Sequence, residues 1–317
     1  MSRLIATGAV MIDVVLVVPH LPQPGGDVVA TSCEASVGGG FNVLAAAHRD
    51  GLAGVFAGRT GTGPWSDLVL ADLAREDINS WHAPVPDLDN GICVVLVNDT
   101  AERTFVTAPG AEEVVTTEHL VGVPVADDDV VHVSGYALAS PTRSLPLAAW
   151  VSALPIDPRV VLDPSPLIGQ VDRGVLRAVL DRTDVLTCNA REAAILLGTD
   201  STSLGEVAAA LRALMPPTSV AILRDGARGT WVSGPGRADA WRVPAYDVVA
   251  VDTNGAGDTH TGVLMAALAR GAALEGAVAR ANVAAALAVT RRGPASAPQR
   301  AEIDQAMRSY LSGTTHA

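Results

Sequence analysis

The residues with the clearest chemical potential lie in the segment VDTNGAGD, where three small residues precede an aspartate. A helical pattern follows, so Gly255, Ala256 and Gly257 are predicted to lead into a helix that starts near Asp258. Backbone N–H groups at a helix start bind anions, and glycines let an anion approach closely. A carboxylate in the first helical turn can serve only to stabilise the helix dipole. Inside an anion site, however, it repels the anion, which favours a chemical role for Asp258.

A second candidate lies in NAREAAILLG, after the apolar run DVLTC. Asn189 followed three residues later by Glu192 is the pattern of a capping box, which is the structural alternative. The functional interpretation is that Glu192 helps to hold a hydrated Mg²⁺ near phosphates, because Mg²⁺ prefers hard oxygen ligands. Both alternatives stay open from the residues alone.

A third candidate combines the glycine run of VGGGFNVLAAA with an acid in the strand-like run GAVMIDVVL. Gly39 and Gly40 either form a tight turn or let a polyhydroxylated ligand lie against the backbone, with the amide of Asn42 beside it. Asp13 either faces solvent or bonds ligand hydroxyls, since an unpaired buried carboxylate is costly.

Composition excludes several classes of protein. The chain has 317 residues, 49% hydrophobic content and a formal net charge of −12, and all 22 basic residues are arginine. Without lysine there is no P-loop and no lysine Schiff base, and the negative charge disfavours nucleic acid as a partner. No apolar run is long enough for a membrane span, and no signal peptide is recognised. Cys33, Cys93 and Cys188 form no CxxC pair. We therefore expect a cytoplasmic protein in a reducing compartment, with no membrane association.

The elements that must position these residues alternate between short apolar runs and helical patterns, which predicts a parallel sheet covered by helices. Two segments interrupt the alternation. Residues from about 12 to 36 contain strand-like runs and a Pro/Gly turn, and residues 91 to 107 read as a β-hairpin, so a small second sheet is predicted. A strand is expected directly before the glycine loop, and three helices are expected at 257 to 270, 275 to 291 and 299 to 310.

In this order, the segments resemble the ribokinase or PfkB family of carbohydrate kinases along essentially the whole chain. The family's D-T-x-G-A-G-D signature matches Asp252 to Asp258, its N-x-x-E matches Asn189 to Glu192, and its glycine signature matches Gly38 to Asn42. The resemblance implies one ribokinase-like α/β domain over residues 1 to 317. It would be a three-layer αβα, Rossmann-like fold with a mostly parallel central sheet and a small β-sheet lid.

The resemblance also implies an activity: ATP-dependent phosphotransfer to an alcohol group of a sugar. Asp258 would be the general base, and the backbone of Gly255, Ala256 and Gly257 would bind the moving phosphoryl group. Glu192 would organise Mg²⁺ through water, and Asn189 would contact the ATP phosphates.

The remaining roles are implied in the same way. ATP would also contact Arg224, Gly226, Gly229 and Asn282. A K⁺ site is plausible at Asp252, Asn254, Gly293 and Ser296. The sugar would contact Asp13, Gly39, Gly40 and Asn42 beneath the lid, through which a homodimer is possible.

Departures from the ribokinase pattern lie on the acceptor side. Met11 stands where ribokinases usually have Asn, Gly39 stands where they have Lys, and His260 departs from the usual GDxF continuation. The acceptor and the phosphorylated hydroxyl therefore stay open, with a nucleoside as the chief alternative. A non-catalytic sugar- or nucleotide-binding protein of the same fold is a rival from another class. An NAD-dependent oxidoreductase is disfavoured because GAVMID supplies no dinucleotide fingerprint.

Overall fold

A computed structural model of the protein describes residues 2 to 100 and 102 to 314. Within these ranges the chain forms thirteen strands: β1 Arg3–Ala6, β2 Val10–Val17, β3 Ser32–Gly39, β4 Ala53–Phe56, β5 Asn79–Ser80, β6 Ile92–Val97, β7 Arg103–Ala108, β8 Val130–Ser134, β9 Arg159–Asp163, β10 Val185–Asn189, β11 Val220–Arg224, β12 Thr230–Ser233 and β13 Trp241–Val243.

The same ranges contain eleven α-helices: α1 Gly40–Arg49, α2 Pro64–Arg75, α3 Thr117–Val121, α4 Gly135–Leu138, α5 Ser144–Ala153, α6 Arg173–Leu180, α7 Ala190–Leu197, α8 Leu204–Arg212, α9 Ala256–Ala269, α10 Leu274–Ala288 and α11 Arg300–Thr314. Three short 3-10 turns, at residues 111–113, 168–170 and 226–228, complete the helical elements of the described chain.

The main sheet has nine strands in the order β13-β12-β11-β10-β9-β8-β1-β4-β5. The strands from β11 to β5 pair in parallel, whereas β12 and β13 are antiparallel at one edge. Helices cover both faces of this sheet, with separate apolar cores on the two sides. The carboxyl ends of the parallel strands therefore meet at one edge, where ligands bind in such folds.

A second sheet has four strands in the order β3-β2-β6-β7. Both outer pairs are antiparallel, and the central pair β2–β6 is parallel. The expected ribokinase-like architecture, a large mostly parallel sheet with a small additional sheet, is confirmed.

Helix α9 is apolar on almost all sides, and its residues from 259 to 267 are buried. It packs between α1 and α10. Gly262 makes the close approach to α1 possible, because a Cβ at that position would lie 2.5 Å from the Val43 carbonyl oxygen. This burial holds the N-terminus of α9, and with it Asp258, in a fixed position.

The prediction of a strand directly before the glycine loop is wrong. Residues 244 to 250 form no strand, and Val249 is 87% exposed. Strand β13 ends before Pro244, whose carbonyl oxygen accepts hydrogen bonds from Asn282 and Tyr310. Beyond it, Val251 N donates to Val289 O at the end of α10. The segment thus crosses the C-terminal helices instead of extending the sheet.

Candidate active site

The N-terminus of α9 is built on a residue that only glycine accommodates. Gly255 precedes the helix with φ 72°, and a Cβ there would lie 2.0 Å from the Pro294 carbonyl oxygen. The left-handed backbone and this contact both require the absence of a side chain. Asp258 lies in the first turn of the helix, as expected from the sequence. The loop of Gly255, Ala256 and Gly257 therefore forms the positive end of the α9 dipole.

Asp258 is a partly buried carboxylate with one defined amide partner. Asn42 Nδ2, on α1, donates to Asp258 Oδ2 at 2.9 Å. Burial raises the pKa of Asp258 to about 6, although the Asn42 hydrogen bond opposes the shift. Of the neighbouring charges, Asp163 raises the pKa and Arg224 lowers it. At neutral pH the group is therefore mostly ionised, with a proton affinity far above that of an exposed carboxyl.

Asp13 of β2 is held against the glycine signature. A Cβ at Gly38 would lie 2.1 Å from Asp13 Oδ2, so the strand pair β2–β3 leaves room for this carboxylate only opposite glycine. Burial and the charge of Asp258 raise the pKa of Asp13 to about 6. Because Asp258 affects Asp13 electrostatically, the two carboxylates share one site.

Gly39 makes the turn from β3 into α1. It has φ 64°, and a Cβ there would lie 2.6 Å from the Ala9 carbonyl oxygen. Gly40 N donates to the same oxygen at 2.7 Å. This turn places Asn42, which is buried, in the first turn of α1 beside Asp258.

Arg224, at the end of β11, is the centre of a network of ion pairs and hydrogen bonds. Its Nη1 lies 3.2 Å from Asp163 Oδ2 and donates to Gly257 O and to Thr261 Oγ1, each at 3.0 Å. Its Nη2 lies 3.4 Å from Glu192 Oε2. The guanidinium group thus joins the carboxyl ends of three neighbouring strands to the first turns of α9.

The N-x-x-E segment forms a complete capping box at the start of α7. Asn189 N donates to Glu192 Oε2 at 2.8 Å, and Glu192 N donates to Asn189 Oδ1 at 2.9 Å. The structural interpretation is therefore correct in itself. Burial and the charge of Asp163 raise the pKa of Glu192, while Arg224 opposes the shift. A carboxylate needed only for capping gains nothing from this crowding, so the functional interpretation remains compatible with the geometry.

The donor set fits a magnesium ion held mainly by phosphates. No group of three or more His, Cys, Asp or Glu side chains in residues 2 to 100 and 102 to 314 is arranged to hold a metal. Mg²⁺ commonly binds through one or two carboxylates, several waters and substrate phosphates, and needs no protein cage. Glu192 and Asp163 supply such carboxylates near the start of α9.

Asp252 organises the loop that precedes α9. Its carboxylate accepts from Asn254 N at 3.0 Å and from Gly293 N at 3.1 Å, which ties two loops together. These hydrogen bonds and the charge of Arg103 lower the pKa of Asp252. Arg103 comes from strand β7 of the second sheet, and its Nη2 lies 2.9 Å from Asp252 Oδ1. A cavity of about 470 Å³ opens beside this contact, lined by Arg103, Ala250, Val251, Asp252 and Thr253.

The residues expected near adenine lie in the turn between β11 and β12 and on α10. Gly226 and Gly229 flank a short turn with φ 55° and 96°. Asn282 is buried, and its amide is used internally: Oδ1 accepts from Thr230 Oγ1 at 2.6 Å and Nδ2 donates to Pro244 O at 2.9 Å. Its side chain therefore supports the wall of this region. Ser296 similarly donates to the Ala288 carbonyl oxygen.

Three residues at the site were not predicted from the sequence. Asp163 follows the apolar run RVVL, and an acid at the end of a predicted parallel strand was the signal for it. Tyr136 lies beside the cluster: burial and the charges of Asp258, Glu192 and Asp163 raise the pKa of Tyr136 to about 12. Thr261 Oγ1 donates to Asp163 Oδ2 at 3.3 Å. No pattern in the neighbouring sequence marks Tyr136 or Thr261 as part of the site.

The structure gives the locations of His260 and Met11, which depart from the ribokinase pattern, and of Cys188. His260 is buried in α9, and burial lowers its pKa to about 3, so it is a neutral core residue. Met11 lies on β2 opposite Gly38 and is partly exposed. Cys188 is a fully buried thiol whose pKa is raised by burial, which agrees with an inert role.

A carboxylate with a pKa near 6 in the first turn of a glycine-led helix, at the carboxyl edge of a parallel α/β sheet, defines a site for anion chemistry. The model of the pfkB family of carbohydrate kinases matches residues 1 to 301. The chain therefore belongs to the pfkB family of carbohydrate kinases and is a phosphotransferase that acts on sugar hydroxyls.

Individual relatives agree with this assignment. The chain is 31% identical over 313 residues to the uncharacterised sugar kinase YegV of Escherichia coli, covering 95% of this chain and 93% of that one. It is 28% identical over 311 residues to the ribokinase of Haemophilus influenzae, covering 95% and 97%. The structure of the ribokinase of Giardia lamblia superposes with a TM-score of 0.82 at 23% identity, covering 98% and 99%, which shows the shared fold. No helix in the described part of the chain combines the length and apolar character needed to cross a membrane.

Proposed function

We propose that the protein transfers the γ-phosphoryl group of Mg-ATP to a hydroxyl of a sugar, with Asp258 as the general base. The observation that carries the proposal is the environment of Asp258. Burial raises its pKa to about 6 at the N-terminus of α9, next to the glycine loop at the positive end of the helix dipole. A base is most effective when its pKa lies near the working pH.

The anion site and the base serve different parts of one reaction. In phosphoryl transfer the enzyme mainly positions the groups and stabilises charge, and the attacking hydroxyl loses a proton. The N–H groups from Gly255 to Gly257 would face the transferred phosphoryl group. Asp258 would accept the proton from the acceptor hydroxyl, while Asn42 keeps the carboxylate oriented.

The negative charge of the ATP phosphates would be stabilised by an arginine and by a Mg²⁺ ion that carboxylates position. Arg224 lies beside Gly257 and already faces two carboxylates, so it is a charge-assisted donor next to the anion loop. Glu192, with Asn189 beside it, would orient water bound to Mg²⁺. The metal would neutralise charge on the phosphates, and the carboxylates of this chain would position it. Gly226, Gly229 and the wall supported by Asn282 would hold the adenine.

Potassium activation is part of the proposal. The loop at Asp252 and Asn254 lies against the loop at Gly293 and Ser296, and backbone carbonyl oxygens of these loops would hold the cation. The support is the tie between Asp252 and Gly293 N, together with the contact of Gly255 with Pro294. A K⁺ ion here would fix the backbone that forms the anion site.

The acceptor would bind between Asp13, Gly39, Gly40 and Asn42 and the second sheet, which would act as a lid that excludes water. Strand β7 of this sheet is exposed along its whole length, with Phe105 61% exposed. An apolar residue on an exposed edge strand supports a homodimer formed through the lid. The three unpaired cysteines support a reducing, cytoplasmic setting.

The test is a coupled assay of ADP release with Mg-ATP and a panel of pentoses, hexoses, polyols and nucleosides, with and without K⁺. Asp258→Asn should keep ATP binding and lose at least about 10²-fold in turnover. Asp200→Asn, at an exposed position, is the matched control and should keep full activity. An active Asp258→Asn variant would remove Asp258 from the role of base.

The same panel separates the alternatives. Turnover only with nucleosides would replace the sugar by a nucleoside as acceptor. Binding of a sugar or nucleotide without acceptor-dependent ADP release would instead support a non-catalytic binding protein.

A further inference from the structure

A second cluster of basic side chains lies at the other end of the same sheet edge. Arg59 follows β4, His82 follows β5, and His119 lies on α3. Arg59 Nη1 and His119 Nε2 are 2.6 Å apart, and the rings of His82 and His119 have centroids 5.4 Å apart in an edge-to-face arrangement. Three elements distant in the sequence thus bring three nitrogen-rich side chains together.

The guanidinium group of Arg59 has no carboxylate partner among the residues that the structure describes. Its hydrogen-bond partner is the His119 ring, and its Nε is buried without a partner. Burial lowers the pKa of Arg59, and no neighbouring acid offsets this effect. Partly buried charges in proteins are normally paired, so this cation is an exception in a chain with 34 acidic residues.

The two histidines beside Arg59 also lack acidic ion-pair partners, in the described part of the chain, that would balance the positive charge of the cluster. His82 Nε2 is also buried without a partner. Burial lowers the pKa of His82 most, and the positive charges of Arg59 and His119 lower it further, so all three effects favour the neutral ring. Glu118 is the acid nearest to the cluster in the chain; its charge acts on His119, and its side chain bonds Thr116. An anion placed here would find an arginine fork and an imidazole ready to donate.

We propose that Arg59, His82 and His119 form a binding site for a phosphate group, separate from the site of phosphoryl transfer. Arg59 would bind two oxygens through its fork, and His82 Nε2 would donate to a third. Each of the three side chains keeps part of its surface exposed, whereas Arg59 Nε and His82 Nε2 are buried, so an anion would reach these two atoms after a small movement of the side chains. The phosphate group is that of free phosphate or of a phosphorylated sugar.

The position of the cluster in the sheet separates it from Asn189, at the end of β10, and from Glu192, the residues assigned to the ATP phosphates and Mg²⁺. Strand β4 lies four places from β10 in the sheet, which is about 19 Å at the usual strand spacing. It is next to β1, which leads into β2 and Asp13. The site therefore lies on the acceptor side of the sheet edge, and its ligand would not compete with ATP. The proposal does not depend on which residue is the general base.

The experiment is a titration of the whole chain with inorganic phosphate at constant ionic strength, followed through the ring protons of its histidines by NMR. His82→Gln and His119→Gln assign the two signals. Saturable shifts of His82 and His119, with no shift of the exposed His20, are expected. Arg59→Met should weaken binding by about 10-fold or more, because charge-assisted hydrogen bonds are lost. Arg242→Met, an exposed arginine of β13, is the control and should bind as the wild type does.

Further titrations distinguish free phosphate from a phosphorylated sugar as the ligand, and the proposed site from the ATP site. Ribose 5-phosphate that binds more tightly than phosphate, with ribose inactive, assigns the site to phosphorylated sugars; equal binding assigns it to free phosphate. The shifts should persist with saturating Mg-ATP. No saturable shift, equal binding by Arg59→Met, or loss of the shifts with ATP would each overturn the proposal. If Arg59→Met fails to fold, Arg59→Lys keeps the charge, loses the fork and should still weaken binding by about 3-fold or more.

Discussion

Removal of Arg224 should destabilise the protein strongly, and the size of the effect follows from its partners. The guanidinium lies 3.2 Å from Asp163 and 3.4 Å from Glu192, and the side chains are only 12%, 16% and 6% exposed. At an effective dielectric constant of about 20, each pair contributes roughly 5 kcal/mol of attraction, most of which offsets desolvation. Arg224→Met would leave two carboxylates close together without a cation. The expected loss in the free energy of unfolding is about 3 to 5 kcal/mol.

The pH dependence of this loss is the decisive signature. Arg224 lowers the pKa values of Glu192 and Asp258, so both should rise further in the variant. When the pKa of a carboxyl group is higher in the folded protein than in the unfolded chain, its contribution to the free energy of unfolding is lost as pH rises through the higher pKa. The variant should therefore be much less stable than the wild type near pH 8, and the difference should narrow as pH falls toward about 5.

Urea unfolding of both proteins across this pH range measures the difference. Arg177→Met is the control, because Arg177 forms an ion pair with Asp181 in which both side chains are exposed, and its removal should have little effect. The double variant Arg224→Met with Glu192→Gln should recover part of the loss, with a coupling of about 1 kcal/mol or more. A loss below about 1 kcal/mol, or a difference that does not depend on pH, would show that the network is not held by charge pairing.

Two further predictions concern the acceptor side and the base. The kcat/KM of the kinase should fall as pH drops through about 6, because Asp258 must be ionised to accept a proton; a limb more than about one pH unit away would contradict the assignment. Gly38→Ala should raise the KM for the acceptor by about 10-fold, since the added Cβ would lie 2.1 Å from Asp13 Oδ2 and displace it. The control Gly276→Ala meets no atom within 4 Å and should leave kinetics unchanged; a normal KM in Gly38→Ala would remove Asp13 from the acceptor site.

Local patterns predicted the parts of the site that depend on one segment. The glycine loop before α9, the capping box of Asn189 and Glu192, and the glycine turn before α1 each follow from residues within a short stretch. Such features depend on backbone conformation and helix termini, which the nearest residues determine. The order of strands and helices was predictable for the same reason.

Contacts between distant segments were not predictable in this way. Asp163 and Arg224 are 61 positions apart, and they meet because β9, β10 and β11 are neighbours in the sheet. The strand expected before the glycine loop also fails for a tertiary reason, since its backbone bonds to the end of α10. The hydrophobic periodicity of a segment predicts that it is buried, but it does not predict which other element packs against it.

One contact links the two halves of the proposed reaction, and it has no signal in either segment alone. Arg103 belongs to the second sheet, whereas Asp252 belongs to the loop that precedes α9, and they are 149 positions apart. The same carboxylate holds Asn254 N and Gly293 N, the backbone to which we assign potassium. Arg103 adds a positive charge to this loop in the structure. If the second sheet acts as the proposed lid, its opening would withdraw that charge. Acceptor binding under the proposed lid would therefore be coupled electrostatically to the order of the loop that we propose binds the phosphoryl group during its transfer.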